Sequence, residues 1–175
     1  MRAMRHILLG VILIAGAGCS LITVKQDPFP PLEIRATRPP PAAPRVVLTA
    51  SSITIGEKVQ FETGSSEILA VSHGLLDEVA KMLVDNPQIE LLQVEGHTDS
   101  TGTAAINRKL SQQRAESVMK YLAGKGVVAG RMNAKGFGPD KPIADNATDA
   151  GKDKNRRVEF NILKQGPKKT VVHDD

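Results

Sequence analysis

The residues best suited to chemistry lie between positions 97 and 114. Asp99 stands three residues beyond Gly96 in the segment GHTDSTG, which leads from a strand end into a helix, where α/β proteins commonly hold ligands. A carboxylate there can contact a ligand or cap the helix, although Ser100 and Thr101 beside it can cap as well. In the series Leu110, Arg114, Val118, Leu122 each step of four keeps nearly the same helical face, so an arginine occupies an apolar position. Asn107 lies two turns earlier on that face, nearer the loop. Two readings of Arg114 are open: it binds a ligand, or its stem covers the core while its head reaches water or pairs with Asp99. His97-x-Asp99 could be a metal or acid–base pair, but neither His73 nor His173 has ligand spacing with it, and His97 reads as a structural hydrogen-bonding residue. No nucleophile elbow, HExxH or P-loop occurs, and GFGPDK precedes Pro142 and a loop. The expectation is a protein without catalysis, metal or cofactor.

These side chains need a frame, and periodicity supplies one. Ile53, Ile55, Val59 and Phe61 alternate as short strands do, before a break at Gly64-Ser65-Ser66. Ile68, Leu69, Leu75, Leu76, Val79, Met82 and Leu83 then recur at three and four until Asn86-Pro87, which predicts a helix. IELLQVE is a strand, and Thr103 to Ala123 a second helix with Ile106, Leu110, Val118 and Leu122 on its apolar stripe. Two more strands cover Met132 to Lys135 and Arg157 to Leu163, separated by GFGPDKPIADNATDAGKDKN, a length typical of functional or mobile loops. The fold class is α/β (α+β), in the order β-α-β-α-β-β, with two helices packed on one face of a mixed sheet.

The charge distribution excludes one class of partner. The chain's net charge of +4 is carried by residues 1–45, which hold six basic and two acidic residues, while residues 46–165 hold 15 of each sign. With no basic footprint on the domain, no Trp and one Tyr, nucleic acid is not a partner. Within the domain, residues 46–99 hold two basic and nine acidic residues, and residues 100–165 hold 13 and six. This split suits either a surface for a polymer of mixed charge or complementary packing between the halves. One cysteine excludes intrachain disulfides and a cysteine-based zinc cage.

The segments FETGSSEI (61–68), VEGHTDSTG (94–102), NRKLSQQRAESVMKYL (107–122), GFGPDKPIADN (136–146) and NRRVEF (155–160) resemble, in order and spacing, the OmpA-like peptidoglycan-binding domain. The resemblance covers nearly all of residues 50–165. It implies noncovalent binding of peptidoglycan at the diaminopimelate of its stem peptide, whose head group is a zwitterion. By the same resemblance Arg114 takes the carboxylate and Asp99 the ammonium, while Thr98, Asn107 and Arg156 line or support the pocket. A guanidinium suits the first role because its planar fork binds carboxylates bidentately.

The N-terminus reads as an export signal. Arg2 and Arg5 precede the apolar run Ile7 to Ala15, then Gly16-Ala17-Gly18 and the lone Cys19. The order is similar to a bacterial lipoprotein signal, with residues 1–18 removed and Cys19 lipidated, although Gly16 stands where Leu is usual. Cleavage at Ala15-Gly16-Ala17, or an uncleaved anchor over Ile7 to Val24, are the alternatives. Seven prolines from Pro28 to Pro44 make residues 19–48 an extended tether. The domain is placed at 49–165 and a tail at 166–175. With that signal the whole chain resembles the Pal type of lipoprotein, anchored in the outer membrane, facing the periplasm and tying it to the wall. The alternative is the wall-anchoring subunit of an envelope machine, a motor stator or secretion complex, held by the uncleaved segment.

Overall fold

The computed structural model describes residues 44–167; the expected signal, Cys19, most of the tether and the end of the tail lie outside them. Strands β1 (Val46–Leu48) and β2 (Ser52–Ile55) are followed by helix α1 (His73–Asp85), β3 (Ile89–His97), α2 (Ala104–Gly124), β4 (Met132–Gly138), α3 (Asp149–Asn155) and β5 (Val158–Gln165). The sheet order is β1-β2-β5-β3-β4. β3 and β4 run parallel, and the other pairs are antiparallel. This is the expected mixed sheet with helices, extended by β1 and α3.

One face of the sheet and the helices build a single core. Leu75, Leu76, Val79 and Leu83 of α1, Val118 and Leu122 of α2, and Leu92, Val94, Val158, Phe160 and Ile53 of the sheet are all buried in it. Arg131 closes the end of α1: its guanidinium donates to the carbonyls of Leu83 at 3.0 Å, Asn86 at 2.9 Å and Ile89 at 2.9 Å. A helix end leaves its last carbonyls short of donors, and Arg131 supplies them here, sharing the Asn86 carbonyl with the Ile89 amide at 3.1 Å.

Four expectations need correction. The sheet begins at Val46, ahead of the expected boundary at residue 49, because Val46 pairs with Ile55 and turns into the core. The strand expected through Phe61 ends at Ile55; Val59 and Phe61 still pack on the core, and Phe61 keeps one bridge to Ile68. Ile68 and Leu69 precede α1, which starts at His73 after a single 3-10 turn. The long loop after β4 contains α3, capped by Thr148 Oγ1, which accepts from the Gly151 amide at 3.0 Å.

The apolar stripe expected on α2 is also displaced. Ile106 is 65% exposed, whereas Asn107, Ser111 and Ala115 face inward with Val118 and Leu122. The reason lies in the strands beneath. A Cβ on Gly96 of β3 would stand 2.2 Å from the Ser111 carbonyl oxygen, and one on Gly136 of β4 would stand 2.2 Å from the Gln112 amide. The first half of α2 therefore rests backbone to backbone on a floor of glycines, and only small side chains fit between. Ser111 Oγ accepts from the Gly138 amide at 2.8 Å and donates to the Arg108 carbonyl at 2.9 Å, so its burial is satisfied.

Candidate functional site

The lowered first half of α2 brings Arg114 to the end of β3. Its aliphatic stem leaves the core and its guanidinium carbon lies 4.9 Å from the centre of the Phe61 ring, while Nε donates to the Ser65 carbonyl at 2.9 Å. That carbonyl is presented by the turn at Gly64, where φ is +68°. Burial, with the nearby Arg156 second, presses the Arg114 pKa below its ordinary value. Among the described residues no carboxylate pairs with it.

Asp99 has a different partner. Its Oδ2 accepts from Arg156 Nη1 at 2.7 Å and its Oδ1 from the Thr101 amide at 2.9 Å. Burial works against its charge, but the Arg156 hydrogen bond and the Thr101 donors outweigh it and hold the pKa below the ordinary carboxylate value. The internal Asp99–Arg114 pair weighed from sequence is therefore replaced by Asp99–Arg156, with Asp153 holding the other side of Arg156 at 3.2 Å. Asn107 works on the backbone: its Nδ2 donates to the Thr101 carbonyl at 2.8 Å and more weakly to that of Asp99 at 3.4 Å. Thr98 Oγ1 donates to the Asp99 carbonyl at 2.9 Å.

Arg114 and Arg156 line one cavity of about 370 Å³, together with Phe61, Gly64, Gly96 and Lys58. Asp99, Thr98 and Asn107 are buried and lie outside its lining, so Asp99 meets the cavity through Arg156. Of the five residues singled out from sequence, two face the cavity and three shape the loop behind it. Phe61, Lys58 and Asp153 received no site role from sequence. Lys58 Nζ donates to the Asp153 carbonyl at 2.5 Å and closes one side of the rim. Phe61 could have been noticed as one of four phenylalanines in the chain, set just before a glycine turn.

Two further groups bear on the loop. Asn155, fully buried, accepts from the amides of Ile143 at 2.8 Å and Ala144 at 3.1 Å, and donates to the Ala144 carbonyl at 2.9 Å and Asn146 Oδ1 at 2.9 Å. Asn146 Oδ1 in turn accepts from the Ser100 amide at 3.3 Å. His97 is not the hydrogen-bonding residue expected: both ring nitrogens are buried without a partner. Its ring stacks on Phe137 with centroids 5.4 Å apart, and burial, with Arg157 second, pushes its pKa down to about 4.

The sequence profile of the OmpA family matches residues 60–156. The chain is 39% identical over 116 residues to outer membrane porin F of Pseudomonas fluorescens, covering 66% of this chain and 35% of the porin. It is 40% identical over 110 residues to the probable lipoprotein YiaD of Escherichia coli, covering 63% of this chain and 50% of that protein. It thus spans about a third to a half of the length of these two relatives, which are envelope proteins and not enzymes. Among solved structures it resembles the peptidoglycan-associated lipoprotein of Burkholderia pseudomallei, with 30% identity, a TM-score of 0.53 and coverage of 61% of this chain and 89% of that one. No helix among the described residues is long and apolar enough to cross a membrane.

Proposed function

Because the chain belongs to the OmpA family, we propose that it binds peptidoglycan noncovalently and anchors the outer membrane to the wall through a lipid on Cys19. The ligand contact is the diaminopimelate of the stem peptide. The observation that carries this reading is Arg114, a half-buried guanidinium at a cavity wall with no carboxylate partner among the described residues. A buried cation is stabilised by an anion that arrives with its own geometry, and the fork of Arg114 suits a carboxylate. Asp99 takes the ammonium. To do so it exchanges part of its contact with Arg156, which keeps Asp153 as a second partner. Arg156 adds a second guanidinium at the cavity, so the ligand carboxylate meets Arg114 and Arg156, and the ammonium reaches Asp99 behind Arg156 with the Asp153 carboxylate in the lining beside it. The likeness to lipoproteins supports the anchoring half of the proposal.

Retention on purified sacculi tests it. Arg114→Lys keeps the charge and loses the fork, and Asp99→Asn loses the charge; each should weaken retention, by up to about 2–5 kcal/mol if the contact is desolvated. Sacculi with lysine in place of diaminopimelate lack the side-chain carboxylate and should be held poorly. Equal retention on both polymers by the wild type, with both variants folded and fully bound, would overturn the site.

A further inference from the structure

Gln93, Glu95 and His97 alternate with the core residues of β3, so they project from the sheet face turned away from α1 and α2. Glu159 of β5 pairs with Glu95 across the strands and joins them there. His97 Nε2 lies 3.6 Å from Glu95 Oε2 and 3.9 Å from Glu159 Oε2. One ligand atom from each of the three residues falls within a sphere of contacts no longer than 4.8 Å. Metal–ligand bonds of zinc at a tetrahedral centre set ligand atoms about 3.3–3.5 Å apart. The two imidazole–carboxylate separations need only a few tenths of an ångström of closure, and the two carboxylates, within 4.8 Å, must draw together by up to about an ångström more.

The surrounding hydrogen bonds are divided as a metal site requires. Glu95 Oε1 accepts from Gln93 Nε2 at 2.7 Å, and Glu159 Oε1 accepts from Arg157 Nε at 2.6 Å. In each carboxylate one oxygen is tied back by a short hydrogen bond and the other faces the imidazole, Glu159 Oε2 accepting in addition only a long contact from Asn161 Nδ2 at 3.4 Å; outer contacts of this kind orient metal ligands. The imidazole is the independent observation. It is 2% exposed, its plane is fixed by Phe137, and neither nitrogen has a partner among the described residues. A buried polar side chain without a partner costs free energy that a ligand can recover. Glu159 also lines a cleft of about 450 Å³ beside β2 and β5, which gives an ion a way in.

We propose that Glu95, His97 and Glu159 form a binding site for a first-row divalent cation of the zinc class, with one imidazole and two carboxylates as ligands and water completing the coordination. Lys141 competes for it. Its Nζ stands 3.5 Å from Glu95 Oε2 and 3.7 Å from the centre of the Phe137 ring, so an arriving cation displaces the ammonium from the carboxylate while the aromatic face still holds it. Wall binding plays no part in this inference.

The test is calorimetric titration of the full-length chain in mild detergent with a zinc salt at neutral pH, repeated with cobalt(II) to read coordination from its visible spectrum. One equivalent should bind. His97→Gln and Glu159→Gln should each lower affinity about tenfold or more; Glu159 is partly exposed, so its variant serves if the histidine variant fails to fold. Lys141→Ala should raise affinity, a gain that loose surface association does not give. His173→Ala, in the tail, should change nothing. No binding by the wild type, undiminished affinity in folded Glu159→Gln, or loss of the bound equivalent in His173→Ala would overturn the proposal.

Discussion

Arg114 and Asp99 differ in how their charges are held, and this fixes how the site responds to pH. Asp99 is depressed by Arg156 and the Thr101 donors. Its ionised form therefore stabilises the fold above the ordinary carboxylate pKa of about 3.9, and that contribution is lost as pH falls through the lower folded value. Arg114, although pushed down by burial, stays charged throughout this range. Retention on sacculi should be flat from about pH 8 to pH 5 and fall only below about pH 4; a midpoint between pH 6 and 7 would place the sensitive group elsewhere. At this scale the sequence was partly legible. Arg114 was visible as a break in an apolar series. The partner of Asp99 was not, because Arg156 lies 57 residues away and reaches it only once β5 has paired with β3.

At the scale of elements, the site depends on two devices that apolar periodicity does not report. The first is the glycine floor under α2. Periodicity assigns a helix face by its large apolar residues, which pointed to Ile106; the buried face is instead chosen by what is small enough to lie on Gly96 and Gly136. Gly96→Ala forces its methyl group against the Ser111 carbonyl and should cost about 1–3 kcal/mol in urea unfolding. It should also shift α2 and weaken retention. The second device is Asn155, which ties together the loop from Ile143 to Asn146. Asn155→Ala orphans two amides and should cost about 1–3 kcal/mol for each that stays dry. Amide exchange should then quicken at Ile143 and Ala144. β1 escaped the sequence reading for a compositional reason: its three residues begin two positions after Pro44 and read as the end of a proline-rich segment.

The charge split between the two halves of the domain resolves, for the whole molecule, into cross-pairing. Asp77 meets Lys125, Glu90 meets Lys164, Glu95 meets Lys141 and Asp99 meets Arg156, each pair joining an acidic residue of the first half to a basic residue of the second. The split therefore describes complementary packing. The anchoring proposal belongs to this scale as well. Cys19→Ser should move the protein from the membrane to the soluble periplasmic fraction, since stable anchoring needs several lipid chains. An uncut Cys19→Ser chain still in the membrane would favour the uncleaved anchor. If one end is held by lipid and the other by the wall, tension arrives at β1. That strand has three residues and one neighbour, β2, and is separated by β2 and β5 from β3, whose end carries the cavity. Arg45, just ahead of it, donates through Nε to Glu78 of α1 at 3.1 Å, and its carbonyl accepts from the Gly56 amide at 2.7 Å. Under load the chain peels there first. The domain can thus yield a few residues of slack while its grip on the polymer stays intact, much as a cable clamp spares the plug.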